Sequence, residues 1–400
     1  MEKHHVILVP GFFGFGHLGG IAYFLGVREV LDRHFERLDL NVEVNEVTTL
    51  PTASIRHRAA RVLETINTVA ARHDGPIHLV GHSTGGLDAR LAIAPTASLP
   101  TDVIFDAYER VRTLVTVSTP HFGTPLAAFF GSAAGKPLLK VLAVSMIFIL
   151  RRGRIPVRAV VKLGEVISRL DDYVGLRRTV LDELYEKLLG EFTLETQKEI
   201  IEFIDGISRD QSLIFQLTSA GCDLLNASTA DPDAVRYGSV VAAGRRPRLR
   251  GIRRQGHDVY AQTMHFIYAW LYLITSRSQR DWIPAPTPEQ DDVIVRAFGR
   301  SATRADNDGI VPTLSQVWGE VIHATRADHL DVVGHFGRTG SESIDVDWLP
   351  SGTAFDEAEF ERMWGNVARF IVEDAVDKAR PRRSHRVGRD RTEFSTLQPE

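Results

Sequence analysis

Ser83 stands in Gly81-His82-Ser83-Thr84-Gly85, a hydroxyl with glycine two residues away on either side and Gly86 following. Glycines at that spacing let two stretches of backbone close on each other. That is what a sharp turn needs if it is to lift a nucleophile clear of its surroundings, as the G-x-S-x-G elbow does. A serine hydroxyl is a weak nucleophile, so a base must take its proton and a third group must orient the base. Asp308 in RADNDGIVPT, before a glycine turn at the expected end of a strand, and His329 in TRADHLDVVGHFG, on a loop after the 320–325 strand, offer the carboxylate and the imidazole. Together the three types perform acyl transfer: His329 takes the Ser83 proton and returns it to the leaving group, while Asp308 fixes the tautomer and steadies the imidazolium. Asp306, Asp328 and His335 are the nearest competitors for the partner roles, and His82 reads as packed beneath the turn.

The oxyanion of a tetrahedral intermediate needs backbone N–H donors. Thr84, directly after the nucleophile, supplies one. The second is expected from VPGFFGFGHLGG, where Gly11, Gly14 and Gly16 let backbone approach substrate, with Phe12 the first choice and Phe13 the alternative. As a dinucleotide site this loop fails. Gly14-Phe15-Gly16 lacks the full G-x-G-x-x-G register and no acidic residue follows at the required distance.

Elements that could position these groups are legible around them. Ile77, Leu79 and Val80 form a short buried run before Ser83, while Leu87, Leu91 and Ala94 recur at helical spacing after it until Pro95. Further strand-like runs lie at 5–10, 42–47 and 112–118, with helical patterns at about 20–36 and 54–72 between them. The alternation predicts a mainly parallel sheet with helices on both faces. From 126 to about 220 the pattern turns helical without strands, and strands resume at 234–242 and 320–325, with helices at 258–275 and 355–377. The expected organisation is one elaborated domain: core over 1–125, a helical lid or cap over 126–220, core again over 221–377, and a disordered tail over 378–400.

Composition sets outer bounds. Hydrophobic residues at 44% and charged residues at 24% of the 400 describe an ordinary globular chain, and a net charge of −4 gives no field favouring nucleic acid. The single cysteine, Cys222, excludes an intrachain disulfide and reads as a buried small hydrophobe. MEKHHVILVPG passes from Met1 almost directly into a strand, leaving no room for a secretory signal, and no run reaches the roughly 18 apolar residues of a membrane span. A cytoplasmic location is the resulting expectation. PLLKVLAVSMIFILRRGR sets an apolar face beside Arg151, Arg152 and Arg154, a pattern suited equally to transient contact with a lipid surface and to a helix buried against the body. The arginine-rich RRPRLRGIRR at 245–254 reads first as a solvated loop and second as a contact for anionic lipid.

VILVPGFFG, HLVGHSTGG, VSTPHFGTP, NDGIVP and DHLDVVG, in that order from residue 6 to residue 334, resemble the bacterial true lipases of the Pseudomonas and Burkholderia type within the α/β-hydrolase superfamily. The resemblance implies an α/β-hydrolase fold and a serine esterase or lipase acting on acyl or lipid esters through an acyl-enzyme. It implies Ser83, Asp308 and His329 as triad, Phe12 and Thr84 as oxyanion donors, and a lid after PHFGTP. It also implies a structural calcium on Asp331, for which Asp291 or Asp292 is the candidate second ligand; the chemistry itself requires no cofactor. Pro10 departs from the family, which has histidine there. An acyltransferase on the same triad and a noncatalytic lipid-binding protein are the rival readings, while serine at the elbow disfavours the aspartate-nucleophile dehalogenases.

Overall fold

The computed structural model describes residues 2–12, 22–49, 53–103, 110–133, 135–152, 156–168, 178–209, 212–247, 259–277, 283–337, 347 and 349–379. Strands β1 (His4–Val9), β2 (Val42–Glu46), β3 (Ile77–His82), β4 (Val111–Val117), β5 (Arg236–Ala242) and β6 (Glu320–Thr325) form one six-stranded sheet in the order β2-β1-β3-β4-β5-β6. Every pairing is parallel. Parallel strands need crossover helices, so both faces of the sheet are covered and the inner strands β1, β3 and β4 are buried on both sides, while the edge strand β2 is half-exposed. In β1, Val6 and Leu8 enter one core with α1 (Val27–Arg37) and the last helix, whereas Ile7 and Val9 enter the other with α2 (Ile55–Arg72) and α3 (Thr84–Ala92). This is the period-2 alternation of a strand buried on two faces.

The order reverses at β1, because the chain passes outward to β2 and then crosses to β3 on the other side. In open parallel sheets the crevice at such a switch point, beyond the carboxyl ends of the strands, is where ligands sit. The Pro10–Phe12 loop and Ser83 leave the sheet at that place.

Between β4 and β5 the chain forms α4 (Pro125–Gly131), α5 (Gly135–Arg152), α6 (Val157–Ser168), α7 (Arg178–Leu189), α8 (Leu194–Arg209), α9 (Ser212–Gln216) and α10 (Ser219–Ser228). Cys222 of α10 packs in a small cluster with Leu87 and Leu213, while helices α4 to α9 share a larger apolar core with α11 (Val259–Thr275). Leu138, Val141, Val144 and Ile147 of α5 are buried in it. The face of α5 considered for lipid contact is therefore taken up by packing. The side chains of Arg151 and Arg152, residue 154, most of the 245–254 arginine run and the tail from 380 lie outside the described residues. No single helix among the described residues is long and apolar enough to cross a membrane.

Two elements complete the core. Helix α12 (Pro288–Phe298) covers β5 and β6 with Ile294 and Phe298, and was absent from the periodicity reading. Its signal was local: Thr287 and Gln290 make a reciprocal capping box, Pro288 occupies the first turn, and Gly299 closes the helix at φ 73°. Helix α13 (Glu357–Ala379) buries Phe360, Met363, Trp364 and Val367 against the α1 side of the sheet.

Candidate active site

Ser83 is the residue between β3 and α3, at φ 54° and ψ −128°, a conformation that costs an L-residue energy and persists only under constraint. Its N–H donates to the Val117 carbonyl at 2.9 Å, tying the turn to β4. The glycines are needed for room. A Cβ on Gly81 would lie 2.5 Å from the Gly86 nitrogen, and one on Gly85 would lie 2.2 Å from the Val9 carbonyl oxygen. Thr84 opens α3, so its N–H has no carbonyl one helical turn back to bond.

The imidazole and carboxylate come from the loops beyond β5 and β6. His329 Nδ1 lies 2.7 Å from Asp308 Oδ2, and the His329 N–H donates to the Asp308 carbonyl at 3.0 Å. Asp308 is fully buried, and its acceptor sites are taken by the N–H groups of Ile310 and Val311 on Oδ1 and by Gln316 Nε2 on Oδ2. A carboxylate so held receives the Nδ1 hydrogen and leaves His329 Nε2 with a lone pair. Asp308 was expected at the end of a strand. It lies instead in a tight turn closed by an isolated bridge between Asn307 and Pro312, with Gly309 at φ 96°. Among the competitors, Asp306 is bound by both terminal nitrogens of Arg300 at 2.7 Å, and His335 Nε2 bonds the Tyr23 carbonyl.

Ser83 and His329 line one cavity of about 210 Å³, together with Phe12, Tyr23 and Thr84. The remaining wall is almost wholly apolar and comes largely from helices beyond the sheet: Leu139 and Leu142 of α5, Leu163 of α6, and Met264, Ile267 and Leu271 of α11. A water-poor chamber of this kind accepts a hydrocarbon chain and strengthens polar contacts at its floor.

The second oxyanion donor was sought in the loop after β1. The Gly11 N–H is committed to Tyr23 Oη at 3.0 Å, which leaves Phe12 as the next residue on the cavity wall. Phe13, Gly14 and Gly16 lie outside the described residues. The loop is held from behind by Arg58 of α2, which is fully buried. Its Nη2 donates to the carbonyls of Pro10 at 2.8 Å and Gly11 at 3.1 Å, and its Nε donates to Asp88 Oδ2 of α3 at 2.8 Å. The sequence reading missed this pair, although a signal existed. Arg58 falls among Ile55, Ala59 and Val62 on the apolar face of α2, where an unpaired cation would not be tolerated.

Asp331, the expected calcium ligand, follows His329 in a short turn and gathers with Asp328 and Asp347, their carboxylate oxygens within 4.8 Å of one another. Burial raises all three carboxyls above their ordinary range, and repulsion from Asp328 adds to the rise at Asp331 and Asp347. Asp328 Oδ2 is buried without a hydrogen bond. Asp291 and Asp292 do not join this cluster; they lie on α12, where Asp291 accepts from Ser301 Oγ. Cys222 is buried and donates to the carbonyls of Pro120 and Gln216.

Residues 1–155 match the family model described as "Putative serine esterase (DUF676)". Among solved structures, the chain is similar to a metagenomic carboxyl esterase at 18% identity, covering 92% of this chain and 76% of that one with a TM-score of 0.51. It is also similar to the Staphylococcus hyicus lipase at 15% identity, covering 94% and 97% with a TM-score of 0.50. The protein has the α/β-hydrolase fold. These matches do not single out the Pseudomonas and Burkholderia type expected from the sequence.

Proposed function

We propose that this protein is a serine ester hydrolase that cleaves acyl or lipid esters through an acyl-enzyme. The observation that carries the reading is the 2.7 Å bond from His329 to buried Asp308, with His329 facing the same apolar chamber as an elbow serine at φ 54°. Ser83 Oγ attacks the ester carbonyl as His329 Nε2 takes its proton. The oxyanion is held by the N–H groups of Thr84 and Phe12, and the imidazolium, steadied by Asp308, protonates the departing alkoxide. Water then repeats the sequence on the acyl-enzyme, with His329 as base, and releases the acid.

The apolar wall supports a substrate with an acyl chain longer than acetyl. Each further CH₂ taken from water contributes about 0.8 kcal/mol, or roughly fourfold in kcat/KM while room lasts. Hydrolysis of p-nitrophenyl esters from acetate to palmitate tests this: kcat/KM is expected to climb steeply after acetate and then level off. Absence of turnover on every member of the series would overturn the hydrolase reading.

The acidic cluster fits a calcium ion, because it offers clustered oxygen donors and a buried carboxylate oxygen without a partner. Asp328, Asp331 and Asp347 would hold it, and its charge would offset their repulsion and pin the turn beside His329. Millimolar calcium is therefore expected to raise Tm by several degrees over the chelated protein, and Asp347→Asn is expected to remove most of that gain. Equal Tm values with calcium and with chelator would exclude the ion.

A further inference from the structure

A chain of hydrogen bonds runs beneath the site and takes no part in the steps above. The Gly11 N–H donates to Tyr23 Oη at 3.0 Å, Tyr23 Oη lies 2.7 Å from His82 Nδ1, and His82 Nε2 lies 3.0 Å from the His329 carbonyl oxygen. A carbonyl only accepts, so His82 Nε2 carries a hydrogen. Burial, aided by the nearby His329, holds the His82 imidazole well below its ordinary range, so the ring is neutral and Nδ1 presents a lone pair. Tyr23 therefore donates to Nδ1 and accepts from Gly11, and burial raises its phenol so that the proton stays. A single set of proton positions satisfies every member.

The chain joins three loops that leave the sheet at separate strands. Gly11 follows β1, His82 ends β3 next to Ser83, and His329 follows β6. The rings of His82 and His329 also pack together, with centroids 4.7 Å apart. Gly11 fits its place tightly, since a Cβ there would lie 2.6 Å from Ser83 Cβ and 2.8 Å from Tyr23 Oη. Pro10 has no N–H and no side-chain donor, so this oxyanion loop needs outside anchors. Arg58 takes its carbonyls and Tyr23 takes its amide.

We propose that Tyr23 and His82 are positioning residues that hold the oxyanion loop and the His329 loop in one register about Ser83, an inference that rests on the serine-hydrolase reading. Neither residue exchanges a proton with substrate. Their effect lies in alignment, where a shift of about 1 Å costs on the order of 100-fold in rate.

The test is turnover per active site, counted by titration with a fluorophosphonate. Tyr23→Phe keeps the ring on the cavity wall and removes both hydrogen bonds. It is expected to lower kcat per titrated site ten- to a hundredfold with KM within twofold. His82→Gln can still present an amide N–H toward the His329 carbonyl, and it is expected to retain more turnover per site than His82→Leu. A merely structural role would reduce the number of titratable sites and leave kcat per site unchanged, and that result would overturn the proposal. Equal turnover in the Gln and Leu variants would do the same. If the parent protein takes no label at Ser83, the hydrolase reading itself fails; label with unaltered turnover in Tyr23→Phe sinks only the positioning role.

Discussion

Asp308→Asn is expected to lower kcat by about four orders of magnitude while KM changes little. The surroundings decide how the new amide must sit. Oδ1 receives the N–H groups of Ile310 and Val311, so the carbonyl oxygen of asparagine has to stay there. The NH₂ group is then forced onto the Oδ2 side, toward His329 Nδ1 and toward Gln316 Nε2, which is itself a donor. His329 can pair with that amide only by presenting a lone pair at Nδ1, which moves its hydrogen to Nε2 and removes the base from Ser83. Steady-state kinetics on the best ester of the p-nitrophenyl series gives the answer, and a fall of less than tenfold would remove Asp308 from the mechanism.

Arg58→Met is expected to be the most damaging change outside the proposed triad. It leaves Asp88, fully buried, without its ion-pair partner, and breaking such a pair from one side costs about 3–5 kcal/mol. The loss should depend on pH. Burial raises the Asp88 carboxyl to about 6 even against the pull of Arg58. A carboxyl raised on folding contributes stability that is complete below its ordinary range near 4 and is lost as pH rises through its folded value. Without Arg58 that value moves further up, so the deficit is expected to be large at pH 8 and smaller at pH 5, where Asp88 holds a proton. Urea unfolding at the two pH values measures it. Equal deficits, or one below about 1 kcal/mol, would contradict the account. The Arg58→Met, Asp88→Leu double variant should recover part of the stability, because no buried charge remains. Activity should stay low, since the carbonyls of Pro10 and Gly11 still lack their donor.

Features written in short-range pattern were legible. Strand-like runs marked the six strands, and the glycines about Ser83 marked a turn where strand and helix backbones close on each other. The order of Asp308 and His329 along the chain anticipated their contact, and a glycine turn was read at Asp308, although no strand leads into it. Features made by the fold were not legible. Arg58 and Asp88 are distant in sequence and meet only because α2 packs on α3, and Tyr23 reaches His82 across the floor of the site. The burial of α5 was undecided because the same apolar face serves a lipid surface or a protein core, and only the packing of α4, α7 and α8 against it chooses. Asp291 and Asp292 were the candidates to join Asp331, but the carboxylates that gather with it are Asp328, three residues before it, and Asp347. The helix that periodicity overlooked, α12, was written in the capping residues at Thr287 rather than in an apolar stripe.

The central claim is that Ser83 is a nucleophile activated for attack on an acyl carbonyl. The most direct measurement is reaction of the intact protein with a fluorophosphonate, followed by mass spectrometry of the whole chain and of its proteolytic peptides, in parallel with Ser83→Ala. The account predicts one adduct per chain on the peptide bearing Ser83, ester turnover that falls in proportion to labelling, and neither adduct nor turnover in Ser83→Ala. Full ester turnover in Ser83→Ala, or an adduct on any other residue that abolishes activity, would contradict it.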